Sequence, residues 1–186
     1  MVSAFAYFAA GCFWGVEFLF EKLDGVKTVE SGYMGGASKN PSYKQVSTGR
    51  SGHLEAVKIE YDPAAISYAE LVKFLFEIHD PAQVDRQGPD VGPQYASRIW
   101  WSSDEERQDI EFFVRQLEGK GVKVATTYKT HRAQDHTFWP AEEYHQNYYE
   151  GNGHTPYCHA HKDKGLSFDS HPRRSLLKGT DTDTEL

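Results

Sequence analysis

The order of its apolar patterns is the feature that most constrains the fold of this 186-residue chain. Alternating or unbroken short apolar runs predict strands, and apolar residues three to four positions apart predict helices. Along the chain these patterns follow the order strand, helix, strand, strand, helix, strand, and then helix and strand. This order predicts an α+β fold, a ferredoxin-like split β-α-β sandwich with an added helix and strand. The predicted strands are Ala4–Ala9, Val26–Tyr33, His53–Tyr61, Tyr95–Trp101 and Val122–Tyr128.

Three helices are predicted from apolar stripes and serine caps. The first extends from Phe13 to Leu23, with apolar residues at i, i+3, i+4 and i+7. The second and third follow Ser67 and Ser103, each of which has a glutamate three residues later, as in a capping box. Pro81 is expected to end the second helix.

Other parts of the chain are predicted to be irregular. Residues 34–52 and 80–94 are rich in glycine and proline. We expect residues 1–161 to form a single domain, because a chain of this length ordinarily holds one. Residues 162–186 are polar, and we expect them to form an irregular, loosely ordered C-terminal tail.

Composition excludes several classes of protein. Aromatic residues make up 14% of the chain, too many for a wholly disordered one. A net charge of −7 argues against a general nucleic-acid partner. No apolar run reaches the roughly 18 residues that a membrane span needs. The apolar start resembles a secretory signal, but a signal begins with basic residues and the first lysine is Lys22. We expect a cytoplasmic protein, and a monomer.

Cys12 lies where the first predicted strand passes into the first helix. The first N–H groups of a helix carry partial positive charge and lack internal partners, so they stabilise a thiolate. A cysteine there can have a lowered pKa and act as a nucleophile. The alternative is a cysteine that only packs in the core. Phe13 and Trp14 precede the buried stripe, and we expect them to line an apolar pocket around the sulfur.

Glu55 is a carboxylate on an apolar strand face. In the strand 53–61 it shares that face with Val57 and Ile59. Burial would raise its pKa and keep it protonated near pH 7, ready to donate a proton. The alternative is an exposed position at a fraying strand end. The irregular segment 34–52 and the residues 88–95 that lead into the fourth predicted strand supply the phenols of Tyr43 and Tyr95, which could stabilise a developing oxyanion.

Several segments together resemble the peptide methionine sulfoxide reductase A family, which reduces the S epimer of methionine sulfoxide. The resemblance covers residues from about 5 to 149. The motifs that carry it are GCFWGVE at 11–17, GYMGG at 32–36, GHLE at 52–55, IHDP at 78–81, RQG at 86–88, DVG at 90–92 with QY at 94–95, and PAEEYHQ at 140–146.

The resemblance implies a thiol-dependent reductase without a cofactor or metal. Cys12 resembles the nucleophile, which is left as a sulfenic acid when methionine departs. Glu55 resembles the acid. Tyr43 and Tyr95 resemble the hydroxyls beside the sulfoxide oxygen, and Asp90 resembles a residue that orients the site or the substrate backbone. The substrate's methyl group is expected to lie against Phe13 and Trp14.

The resemblance also implies a second cysteine that recycles the first. Cys158 is the other thiol in the chain, so it is the candidate resolving residue. A sulfenic acid condenses readily with a thiol, and thioredoxin or a similar dithiol would then reduce the disulfide. The chain departs from many relatives at Pro93 and Ala96, where Thr and Arg are common, and at Ser47, where some have a third cysteine.

Two other functions remain open from the residues alone. A histidine-rich segment, comprising His154, Cys158, His159 and His161, offers zinc ligands, although no second ligand pair lies at finger-like spacing. Cys12 could instead be the nucleophile of a hydrolase, with His53 or His145 as its base, although no oxyanion loop is evident.

Overall fold

A five-stranded antiparallel sheet forms the centre of the structure, which is a computed structural model that describes residues 3–174. Its strands are β1 (Ala4–Ala10), β2 (Val26–Met34), β3 (Leu54–Tyr61), β6 (Ser97–Trp100) and β7 (Trp139–Pro140), while β4 (Arg86–Gln87) and β5 (Asp90–Val91) pair in a separate hairpin. The sheet order is β6-β1-β3-β2-β7. The first four positions of that order are those of a split β-α-β fold, and β7 extends the sheet beside β2.

Helices cover one face of the sheet. They are α1 (Phe13–Phe20), α2 (Tyr43–Val46), α3 (Tyr68–Ile78), α4 (Asp104–Gly119) and α5 (Tyr148–Asn152). The main core lies between the sheet and helices α1, α3 and α4, where Phe8 of β1 packs against Phe20 and Tyr68. A smaller cluster, including Met34 and Trp100, covers the other face. Within residues 3–174, no helix is long and apolar enough to cross a membrane.

The sequence-based boundaries needed correction at several points. The first helix ends at Phe20 rather than Leu23, because the chain tightens there into hydrogen bonds between residues three apart. The segments 34–52 and 80–94, expected to be irregular, contain α2 and the β4-β5 hairpin. Tyr95 does not belong to a strand and instead ends a 3-10 turn over 93–95.

The predicted strand Val122–Tyr128 is wrong. One isolated bridge joins Thr127 to Arg98 of the edge strand β6, and Ala125 donates its N–H to Pro81 in a loop. The segment therefore meets the sheet at one point. The apolar alternation indicated that the segment is half-buried. It could not show whether a neighbouring strand pairs with the segment along its length.

The segment after residue 162 is packed as far as the structure describes it. Leu166 and Phe168 are buried, and Phe168 packs edge-on against Phe113 of α4. His171 lies 2.9 Å from the buried carboxylate of Asp109. Residues 162–174 therefore form an irregular segment, as expected, but one that packs against α4. Residues 175–186, which that expectation also covered, lie outside the described residues.

Replacing Phe168 with alanine tests this packing. Removal of a buried phenyl ring leaves a cavity beside α4, so we expect the free energy of unfolding to fall by about 3 kcal/mol in denaturant titrations. Asp169→Ala, which alters an exposed neighbour, should change it by less than about 0.5 kcal/mol. Equal, small effects of both substitutions would contradict the packed arrangement.

Candidate active site

The sheet register brings four parts of the chain to one end of the sheet. Phe8 of β1 lies opposite Val57 of β3, so two residues further on Ala10 lies beside Glu55. Ala10 is also paired with Ser97 of β6. The end of β2 is paired with the start of β3, through Tyr33 and Glu55. The carboxyl end of β1, the start of β3 and the segments before β3 and β6 therefore surround Cys12.

Cys12 is the N-cap of α1. Gly11 before it has a φ of 96°, a left-handed conformation that glycine adopts without strain and that turns the chain sharply between β1 and the helix. The first free N–H of the helix, on Phe13, donates to Oε2 of Glu55 at 3.1 Å. The thiol and the carboxyl group therefore share the positive end of the same helix.

Glu55 is 3% exposed and lies on the helix-covered face of β3, as its face in the sequence predicted. Burial raises its pKa well above the usual value, and the nearby Cys12 thiol contributes to the rise, while the Phe13 N–H opposes it. The rise favours the protonated form of the carboxyl group, which is the form that can donate a proton. In that form it is an acid with its proton available beside the sulfur of Cys12.

The two thiols and one carboxylate converge. An oxygen of Asp90 and the sulfur atoms of Cys12 and Cys158 all lie within 4.8 Å of one another, and both cysteines are free thiols. These donors could also ligate a soft divalent metal. In residues 3–174 they are the one group of three or more such donors that converges.

The pKa of Cys12 is raised, opposite to the expectation from its place at a helix N-terminus. The largest cause is the contact with the Cys158 thiol, and burial of Cys12, which is 5% exposed, adds to it. The helix N-terminus opposes these effects through the backbone of Trp14. With Cys158 beside it, Cys12 is therefore a protonated thiol.

Cys158 is held over Cys12 by its two neighbours in sequence. The hydroxyl of Tyr157 donates to Asp90, at 3.0 Å from Oδ1. On the other side, His159 is buried, and its Nε2 lies 2.6 Å from the carbonyl oxygen of Ala10. In this arrangement Asp90 binds the segment that carries Cys158.

Tyr43 and Tyr95 are both half-buried near the thiol and the acid. Burial raises the pKa of each phenol, so both hydroxyls remain protonated donors. A carboxylate fixes Tyr43 in place: Glu142 accepts from the backbone N–H of Tyr43 and from the hydroxyl of Tyr33, both at 2.8 Å.

Phe13 and Trp14 belong to an aromatic wall centred on His145. The indole N–H of Trp14 donates to Nδ1 of His145 at 3.1 Å. The ring of His145 packs against Phe13 and Tyr43, with centroids 5.1 and 4.6 Å apart. Trp14 stacks on Tyr148 of α5 at 3.6 Å. The ring faces of this wall are the kind of apolar surface against which a methyl group can pack.

Known proteins resemble this chain in both sequence and structure. A sequence model described as peptide methionine sulfoxide reductase matches residues 4–173. The chain belongs to that family. A peptide methionine sulfoxide reductase MsrA from Nautilia profundicola is 46% identical over 153 residues, which cover 82% of this chain and 86% of the relative. MsrA from Methanothermobacter thermautotrophicus is 47% identical over 147 residues, covering 79% and 86%.

Solved structures agree with the family assignment. Mxr1 from Saccharomyces cerevisiae in its reduced form superposes with a TM-score of 0.78 and 32% identity, over 87% of this chain and 93% of Mxr1. A second structure shows Mxr1 in complex with Trx2; with 24% identity and a TM-score of 0.57, over 87% of this chain and 91% of Mxr1, it shows the shared fold.

Within this reductase scaffold, the residues proposed from sequence as catalytic, resolving or substrate-binding lie at one end of the sheet. The histidine-rich segment does not converge on a zinc site: His159 faces Ala10, and His161 lies 3.3 Å from Glu77. The two bases considered for a hydrolase have other partners. His53 bonds to the loop at Gly36 and Ser38, and His145 to Trp14.

Sequence reasoning missed three polar groups of the site. Two of them, Glu142 and His145 of the aromatic wall, lie in the PAEEYHQ segment at 140–146. Only the family resemblance indicated that this segment belongs to the site. Glu17, one turn beyond Cys12 in α1, is buried and accepts from the N–H of Asn147 at 3.0 Å. Burial raises the pKa of Glu17 to about 7. The sequence did offer one indication of this burial, since Glu17 is a carboxylate among the apolar residues of the predicted helix.

Proposed function

We propose that this chain reduces the S epimer of methionine sulfoxide, free or in peptides and proteins, through a sulfenic acid on Cys12. The observation that carries the proposal is the position of Cys12, at a helix N-terminus between a buried, protonated Glu55 and a second free thiol. Membership of the reductase family supports the same chemistry.

In the first step the sulfur of Cys12 attacks the electrophilic sulfur of the sulfoxide. Glu55 donates its proton to the sulfoxide oxygen, and the hydroxyls of Tyr43 and Tyr95 donate hydrogen bonds to it as the sulfur–oxygen bond breaks. The new bond between the two sulfur atoms then breaks as the hydroxyl formed from the sulfoxide oxygen bonds to the sulfur of Cys12, which becomes a sulfenic acid. Methionine leaves, its sulfur reduced by two electrons, and Cys12 is oxidised by two.

Substrate binding requires Cys158 to withdraw from Cys12. The contact between the two thiols raises the pKa of Cys12, and Tyr157 occupies Asp90. The described arrangement therefore fits the later, disulfide-forming stage. Gly153 ends α5 in a left-handed conformation, with a φ of 65°, and His159 is buried, so residues 154–158 between them are the part that can withdraw.

In the second step Cys158 attacks the sulfenic sulfur of Cys12, a disulfide forms and water leaves. A dithiol such as thioredoxin then reduces the disulfide by exchange. The complex of Mxr1 with Trx2 supports this partner. The cytoplasm, where thioredoxin keeps thiols reduced, is the proposed compartment. That the protein is a monomer stays a prediction.

A single-turnover assay without reductant, on separate S and R epimers of a methionine sulfoxide peptide, tests the proposal. We expect about one methionine per enzyme from the S epimer alone, with loss of both thiols, because one disulfide forms per sulfoxide reduced. Cys158→Ser should still release about one methionine but fail to recycle with thioredoxin.

Other outcomes would contradict separate parts of the proposal. Reduction of neither epimer, or of both equally, would overturn the activity. Loss of the Cys12 thiol alone in the unmodified chain would remove the internal disulfide. Normal thioredoxin-driven turnover of Cys158→Ser would mean that another route resolves the sulfenic acid.

A further inference from the structure

His159 is bonded to the resolving thiol in a defined tautomer. Its Nε2 lies 2.6 Å from the carbonyl oxygen of Ala10, and a carbonyl only accepts, so Nε2 carries the proton. The other nitrogen of the neutral ring then has a free lone pair. That nitrogen, Nδ1, lies 2.9 Å from Sγ of Cys158 and accepts a hydrogen bond from the thiol.

The fold provides a fitted space for this ring. A Cβ atom on Gly15 would lie 2.4 Å from Nδ1 of His159, and one on Gly11 would lie 3.5 Å from its Cε1. The first distance is one that real Cβ atoms essentially never show, so the absence of a side chain at Gly15 is what admits the imidazole. His159 is 4% exposed as a result. The ring is fixed against the start of α1 and cannot turn to solvent.

We propose that His159 is the base that activates Cys158 during disulfide formation. The inference rests on the proposed function, because it needs Cys158 to be the resolving thiol. As Cys158 attacks, its S–H bond breaks and the proton passes to Nδ1 of His159. The S–S bond to Cys12 forms and the S–O bond of the sulfenic acid breaks. The departing hydroxide takes up one proton and leaves as water, and His159 returns its proton to solvent.

The surroundings of His159 keep it neutral and able to accept a proton. The titratable groups that face it are Cys158 and Asp90 on the side of the thiols and His79 behind it. Burial lowers the pKa of His159, and the charge of Asp90 opposes that change in part. Burial also lowers the pKa of His79 to about 3, so His79 is neutral and adds no competing charge near pH 7.

His159→Gln separates this role from simple packing. The glutamine amide can replace Nε2 as the donor to Ala10, but it offers no base near Cys158. We expect release of the first methionine from the S epimer to be unchanged and the following loss of the Cys158 thiol to be about 100-fold slower. His161→Gln, two residues away and facing Glu77, should leave both steps unchanged.

The pH dependence of thiol loss gives a second readout, one that a packing role would not move. In the unmodified chain the rate should level off above about pH 6.5, where His159 is neutral. In His159→Gln it should keep rising between about pH 6.5 and about pH 8, because no side chain then takes up the thiol proton and hydroxide from solvent must do so. The two steps are followed separately by rapid quenching. The first is measured as methionine released, and the second as loss of the Cys158 thiol.

The outcomes distinguish this inference from the proposed function. Equal rates of thiol loss and equal pH profiles for the unmodified chain and His159→Gln would overturn it. If His159→Gln releases no methionine, the profile of the unmodified chain decides: a rate that keeps rising from pH 6.5 to 8 would overturn the inference, and a plateau would support it. Thioredoxin-driven turnover of Cys158→Ser at the unmodified rate would instead overturn the resolving role of Cys158 in the proposed function, on which the inference rests.

Discussion

Cys12→Ser is expected to lower sulfoxide reduction to less than about a thousandth of the unmodified rate. A serine hydroxyl is almost entirely protonated at neutral pH and does not form a stable oxygen adduct equivalent to a sulfenic acid. The measurement is methionine released from the S epimer in a single turnover, with thioredoxin present in a parallel reaction. Activity above that fraction in a preparation free of unmodified protein would remove Cys12 as the nucleophile.

The position of Cys12 makes this substitution unusually easy to interpret. Cys12 is the N-cap of α1, and serine is among the residues that helices prefer there. We therefore expect the fold to be retained, which the near-ultraviolet circular dichroism of the aromatic wall would report. Cys158→Ser is the matched control, since it also exchanges one thiol for a hydroxyl at the same site but keeps the first methionine.

The contact between the two thiols is also expected to lower the nucleophilicity of Cys12 until Cys158 withdraws. The contact with Cys158 is the largest cause of the raised pKa of Cys12. Withdrawal of Cys158 removes that contact and leaves the helix N-terminus to stabilise the thiolate. Cys12 is therefore expected to become more nucleophilic as the segment that carries Cys158 moves away, the movement that also opens the site to substrate.

Much of the fold could be predicted because its strongest signals are local. The long helices α3 and α4 have serine caps and apolar stripes, and β1 and β3 have clear apolar faces. The failures have a common cause. The segment Val122–Tyr128 has the pattern of a strand without a partner along its length, and Phe168 is buried from within a polar segment because α4 happens to lie beside it.

The site was predictable where one residue disagreed with its surroundings. Glu55 is a carboxylate on an apolar face, and Cys12 lies at the junction of a strand and a helix. The role of His159 was not predictable in this way. Its partners, Ala10 and Gly15, are more than 140 residues away in the sequence, so only the packed structure shows that the imidazole is held at Cys158.

Glu55→Gln is expected to slow sulfenic acid formation by about 100-fold or more, with little change in substrate binding. The glutamine oxygen can still accept from the N–H of Phe13, so the start of α1 is kept, but the amide has no acidic proton to give to the sulfoxide oxygen. Single-turnover methionine release at several substrate concentrations separates the rate from the binding constant. Glu60→Gln, on the same strand, should alter neither; an unchanged rate in Glu55→Gln would remove Glu55 as the acid.

The pH dependence of stability gives an independent check on the state of Glu55. Its pKa is raised on folding, so the folded protein holds a proton that the unfolded chain releases above about pH 4.3. The unmodified chain should therefore lose stability as the pH rises from there to the folded pKa, and level off above it. Glu55→Gln cannot ionise and should lack this part of the loss. Denaturant titrations at pH 5 and pH 8 should show the variant gaining relative to the unmodified chain at the higher pH. An equal difference at both pH values would mean that Glu55 is already ionised in the folded protein, and an ionised carboxylate cannot be the proton donor.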